Sequence, residues 1–87
     1  MVFLYIIKNN FNKLYIGISK DPNQRLNFHN SKSGASFTKS GNYKVVLKEN
    51  YPNLKEARQR EIQIKKWSRK KKDFIIERYK NNLTTKI

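Results

Sequence analysis

Val2-Phe3-Leu4-Tyr5-Ile6-Ile7-Lys8, then Asn9-Asn10-Phe11-Asn12-Lys13, then Leu14-Tyr15-Ile16-Gly17-Ile18-Ser19 run without interruption near the start of the chain. The outer segments are rich in β-branched, aromatic and aliphatic residues, and the polar cluster between them has turn composition, which predicts a β-hairpin. Alternation sets Phe3, Tyr5 and Ile7 on one face of the first strand. On the second strand it separates Tyr15 and Gly17 from Leu14, Ile16 and Ile18. A glycine inside a strand often marks close backbone approach.

Beyond the hairpin, Asp21-Pro22-Asn23-Gln24 has the form of a helix start, with Asp21 as cap and Pro22 in the first helical position. That helix is expected to run to about Asn30. Ser31 to Ser36 and Lys39 to Asn42 are loop-like, making a long basic connection of the kind that is often functional in a compact domain. Tyr43 to Asn50, centred on Val45-Val46-Leu47, reads as a third strand. Pro52-Asn53 ends it ahead of a helix from about Leu54 to Trp67. Ser68 can cap a last helix from Arg69 to Lys80, with Phe74, Ile75 and Tyr79 as its apolar contacts. The expected fold is α/β (α+β): a three-stranded antiparallel sheet with flanking helices, in the order β-β-α-β-α-α. One domain covers residues 1–80, and residues 81–87 form a loose tail.

Twenty Lys and Arg against six Asp and Glu give a formal charge of +14 in 87 residues. Such self-repulsion costs folding free energy and fits a polyanionic partner. No apolar run approaches the roughly 20 residues of a membrane span, and the first residues lack the flanks of a signal peptide. Cysteine is absent, so there is neither a disulfide framework nor a thiolate metal site, which is compatible with the cytoplasm.

Positions 54, 57, 61 and 64 recur at helical spacing, so Leu54, Ala57 and Ile64 form an inward stripe that Glu61 shares. A carboxylate facing inward must be paired, protonated or bound to a cation. An internal salt bridge and a metal site both satisfy that requirement. Glu56 shares its face with Arg60 and Gln63 and reads as solvated, as do Asp73 and Glu77. Arg25 and His29, four apart on the first helix, stand on one face, where a guanidinium could clamp phosphate and an imidazole could donate a hydrogen bond or move a proton. Tyr5 and Tyr15 read equally well as strand packing or as chemistry, because a phenol with a pKa of about 10 needs help to act as a base.

Phe3-Leu4-Tyr5 followed by Leu14-Tyr15-Ile16-Gly17 resembles the paired motifs of the GIY-YIG nuclease superfamily. Arg25, His29 and Glu61 follow in the order of that family's remaining active-site residues. Gly34-Ala35, Glu56-Ala57-Arg58 and Ile64-Lys65-Lys66-Trp67-Ser68-Arg69-Lys70-Lys71 look like the small stand-alone bacterial members, YhbQ-like and related to the UvrC nuclease domain. The resemblance covers about residues 2 to 77. Phe3 stands where the first motif has glycine, as is usual in that branch, and the downstream asparagine of some members has no counterpart.

The resemblance implies a metal-dependent DNA endonuclease. Glu61 would hold one Mg²⁺ or Mn²⁺, Tyr5 would position or activate water, and Arg25 would clamp the scissile phosphate. Tyr15 and His29 would support them, with Gly17 as the structural element of the motif. One such carboxylate suggests one ion, since a two-metal site needs several convergent acids. Lys65, Lys66, Arg69, Lys70, Lys71 and Lys72, with Lys32 and Lys39 of the long loop, are the expected contacts to DNA phosphates, which confer no sequence preference. Preference for strand structure is therefore expected. A non-catalytic nucleic-acid-binding module explains the charge equally well but leaves the inward Glu61 unused.

Overall fold

The computed structural model describes residues 1–21 and 43–86. Strands β1 (Val2–Lys8), β2 (Leu14–Ser19) and β3 (Lys44–Tyr51) are followed by helices α1 (Leu54–Lys65) and α2 (Arg69–Lys80). The described order is thus β-β-β-α-α, an α+β fold. Apart from Asp21 itself, the helix expected from Asp21 to Asn30 and the connection that follows it lie outside the described residues.

The sheet is antiparallel in the order β2-β1-β3, with the expected hairpin forming one half. Asn9 fixes the turn: its Oδ1 accepts from the backbone N–H of Phe11 and of Lys13, both at 2.9 Å. Asn12 takes the left-handed conformation at φ 65°, which asparagine tolerates better than most residues. On the other side of β1, Ile6 lies opposite Leu47 while Ile7 lies opposite Val45. Val46 is therefore the extra residue of a bulge, and the strand bends there.

Leu4, Ile6, Ile16 and Leu47 point to one face of this sheet and meet Ile64 of α1 and Ile75 of α2 in a buried cluster. Each such side chain contributes about 1.5–3 kcal/mol when fully buried. Asn53 caps α1 by accepting from the Glu56 N–H at 3.0 Å, and Ser68 caps α2 by accepting from the Lys71 N–H at 3.2 Å.

Three expectations fail in detail. Leu54, at the first position of α1, is exposed, whereas Arg60, assigned to a solvated face, is buried. The buried stripe of α1 is Ala57, Arg60, Glu61 and Ile64. Phe74 and Tyr79 are exposed on α2, where Ile75 makes the expected core contact and half-buried Ile76, not foreseen, adds to it. Finally, the segment after α2 is docked rather than loose. Thr85 is buried, and Arg78 Nε and Arg60 Nη2 donate to the carbonyls of Thr84 and Thr85 at 2.6 and 2.7 Å.

Candidate active site

The hairpin register decides which side chains meet. Tyr5 lies opposite Gly17, and Ile7 lies opposite Tyr15. Residues paired across a ladder project to the same face, so Tyr5, Gly17 and Tyr15 share the face turned away from Leu4 and Ile6. The Tyr5 phenol occupies the space above Gly17. A Cβ there would stand 2.7 Å from Tyr5 Oη, 2.9 Å from its Cζ and 3.2 Å from Tyr15 Cε1. The two rings lie 6.4 Å apart, inclined by 31°.

Burial separates their roles. Tyr5, including its hydroxyl, is shielded from solvent, while Tyr15 is 40% exposed at the rim. The glycine is what lets a full phenol lie flat on the neighbouring strand. Alternation pairs Tyr15 with Gly17 on β2, but only the register brings Tyr5 of β1 to the same face and directly over Gly17.

Glu61 is buried to 8% exposure on α1. Its carboxylate faces Lys65 Nζ at 3.3 Å and Arg58 Nε at 3.7 Å, two cations of its own helix whose side chains are more than half exposed. The cationic ends of these pairs stand in solvent, so each is worth about 1 kcal/mol or less. The helix carrying Glu61 packs, through Ile64, against the sheet face bearing Leu4 and Ile6. The described residues therefore cluster Tyr5, Gly17 and Tyr15 and put Glu61 on the helix that covers the core. Arg25, His29, Lys32 and Lys39 lie outside them.

The strongly held carboxylate is a different one. Glu49 of β3 accepts from Arg60 Nε at 3.1 Å, Arg60 Nη2 at 3.3 Å, Tyr51 Oη at 2.6 Å and Thr85 Oγ1 at 2.5 Å. Burial pushes its pKa up, but the hydrogen bonds from Arg60, Thr85 and Tyr51 outweigh that and leave it below its ordinary value. Tyr51 is raised, by burial first and then by its bond to Glu49. The salt bridges considered for Glu61 are thus present, to Arg58 and Lys65 of its own helix, and a second, more deeply buried one that was not foreseen is built at Glu49. Its sequence signal was the alternation of Leu47, Glu49 and Tyr51 on one strand face, together with the helical spacing of Ala57, Arg60 and Ile64.

Among the described residues no three His, Cys, Asp or Glu side chains converge. Glu56 accepts from Asn53, and Asp73 accepts from Arg69 at 2.9 Å. Glu61 differs, because among the described residues its oxygens face the cations of Lys65 and Arg58, which can swing into solvent. A hard cation that keeps several waters can be held through a single carboxylate, so Glu61 fits such an ion and Glu49, saturated by donors, does not.

Lys65, Lys66, Arg69, Lys70 and Lys71 are exposed around the α1–α2 turn, and Lys72 is half-buried. The first turn of α2 holds no acid. Cations there oppose the helix dipole, at a cost that a phosphate partner would offset. Lys71 and Arg60 flank the Trp67 ring at 4.2 and 5.0 Å, which ties the turn to the core.

Residues 1–73 match the family described as the GIY-YIG catalytic domain. The chain belongs to this family. Its Tyr15-Ile16-Gly17 is the second half of the family motif, and the cluster over Gly17 is what that motif builds here. A UPF0213 protein of Staphylococcus epidermidis is 41% identical over 76 residues, spanning 86% of this chain and 93% of its own length. The UPF0213 protein YazA of Bacillus subtilis is 35% identical over 81 residues, spanning 92% and 82%. The solution structure of a UPF0213 protein from Bacillus halodurans superposes with a TM-score of 0.58 at 29% identity, covering 88% of this chain and 84% of the other. This GIY-YIG chain is accordingly a small bacterial-type member of a nuclease family. No helix among its described residues is long and apolar enough to cross a membrane.

Proposed function

We propose that this GIY-YIG domain is a divalent-cation-dependent endonuclease that hydrolyses DNA phosphodiesters, selecting strand structure rather than base sequence. The observation that carries the reading is the Tyr5 hydroxyl held over Gly17 beside the exposed ring of Tyr15, in a chain of this family. Hydrolysis needs an oriented water, neutralisation of charge growing on the phosphoryl oxygens, and stabilisation of the departing oxygen. Tyr5, fixed by its slot and shielded from bulk water, orients the attacking water by a hydrogen bond. Tyr15 at the rim packs against the substrate backbone. Arg25 clamps the scissile phosphate and His29 supports it. Glu61, on the helix packed against the Leu4–Ile6 face, would hold Mg²⁺ or Mn²⁺, which when bound would supply positive charge. The cations of the α1–α2 turn grip flanking phosphates without reading bases.

Labelled single-stranded, duplex and branched DNA, incubated with the purified chain in Mg²⁺ or in chelator, tests this reading. Cleavage is expected only with Mg²⁺ and fastest on non-duplex DNA. Tyr5→Phe should slow it by about a hundredfold, the lower range for a positioned proton-handling group. Cleavage that survives chelation contradicts the mechanism. Binding to all three substrates without cleavage would favour a non-catalytic nucleic-acid-binding module, a reading that the exposed basic turn supports by itself.

A further inference from the structure

Beyond the bulge, the end of the sheet and the last two turns of α2 enclose a cavity of about 410 Å³. Its walls carry Lys8 and Asn9 from the first strand and its turn, Lys44 from β3, and Glu77 and Lys80 from α2, over Ile76. Lys8 and Lys44 are direct partners in the β1–β3 ladder. Like charges in that position repel and destabilise the pairing. Among the described residues no carboxylate lies within ion-pairing distance of Lys8, Lys44 or Lys80. The lining thus holds three cations and one acid. The carbonyl end of α2 accounts for Lys80, since a cation there suits the helix dipole. It does not account for Lys8 facing Lys44.

Asn9 supplies a second, independent observation. Its side-chain oxygen is committed to two backbone N–H groups of the turn, so the amide cannot flip. Its Nδ2 is consequently fixed as a donor, and it is buried with no acceptor among the described residues, in a side chain only 6% exposed. Native structures leave few such donors unmatched, and each one calls for a ligand, water or ion.

We propose that this cavity binds a phosphate group through Lys8, Lys44 and Lys80, with Asn9 Nδ2 donating to one of its oxygens. A phosphate neutralises facing ammonium groups that the fold leaves uncompensated and presents acceptors on every side. The cavity lies within the roughly 300–1,000 Å³ of small-molecule sites, so it has room for what the phosphate is attached to. The phosphate could be a free monoester or a diester of a nucleic-acid backbone. Phosphate capture at this end of the sheet does not depend on whether the chain cleaves DNA.

The test titrates the full chain with inorganic phosphate and, separately, with an unphosphorylated single-stranded 12-mer across a range of salt. The double variant Lys8→Gln/Lys44→Gln is compared with a charge-matched control, Lys20→Gln/Lys55→Gln, drawn from exposed lysines outside the cavity. Asn9→Asp keeps the acceptor that staples the turn while replacing the donor. Phosphate binding weakened at least about tenfold in the cavity double variant and in Asn9→Asp, but not in the control, identifies a monoester site. If the 12-mer alone responds, the cavity double variant should lower the salt slope by about 1.4 relative to the control, at about 0.7 for each phosphate no longer neutralised, and the site takes a diester. Thermal unfolding separates binding from folding, because removing the Lys8–Lys44 repulsion should leave the melting temperature equal or higher. Equal behaviour of cavity and control variants toward both ligands overturns the proposal.

Discussion

At position 17 the absence of a side chain is what makes room for the phenol. Tyr5 is wholly enclosed, so its ring cannot yield easily to a methyl group 2.7 Å from its hydroxyl oxygen. Gly17→Ala should therefore destabilise the domain by about 1–3 kcal/mol, the usual cost of overpacking, measured by urea unfolding. Tyr5→Phe removes the nearest clashing atom and leaves the ring carbon at 2.9 Å. The double variant should accordingly lose less than the sum of the two single losses, by a coupling of about 0.5 kcal/mol or more. Strict additivity would mean that the slot is not where the ring's position is set.

Among the elements, β3, α1 and the segment after α2 are held together by one carboxylate. Arg60→Ala leaves Glu49 buried with its main partner gone and should cost about 3–5 kcal/mol. Chemical unfolding measures that loss. Because the folded-state pKa of Glu49 lies below its ordinary 4.5, its contribution is complete above that value and is lost as pH falls through 4.5 and below. Unfolding free energies measured from pH 7 to pH 3 should drop over that window, and Thr85→Val should flatten the drop. The same elements show what the sequence could tell. Strands β1 and β2, their turn, β3, both helices and the Ser68 cap were legible because periodicity and capping are local. The Glu49–Arg60–Thr85 network was not, since it joins residues 11 and 25 positions apart that only the packed fold brings together. On α2, Phe74 and Tyr79 misled because an aromatic residue fits a core or an exposed helix face equally well. There Arg78 lies over the Phe74 ring at 5.8 Å. In the candidate site, strand alternation made the pairing of Tyr15 with Gly17 readable, while the placement of Tyr5 over Gly17 needed the ladder register.

For the whole molecule, a formal charge of +14 opposes compaction and attracts polyanions. Raising salt from low values should thus increase the melting temperature while weakening DNA binding, with log affinity falling by roughly 0.7–0.9 per phosphate engaged for each unit of log salt. A salt-independent affinity would show that the charge is not used on a nucleic-acid backbone. The claim on which the functional reading turns is that Glu61 serves a cation rather than the fold. Its loose partners predict that Glu61→Gln alters unfolding free energy by less than about 1 kcal/mol. Single-turnover cleavage of labelled branched DNA by the native chain and by Glu61→Gln, followed as Mg²⁺ is raised, tests that claim directly. The native rate should climb with Mg²⁺ while the folded variant stays at background, whereas equal rates in the two proteins would contradict the account.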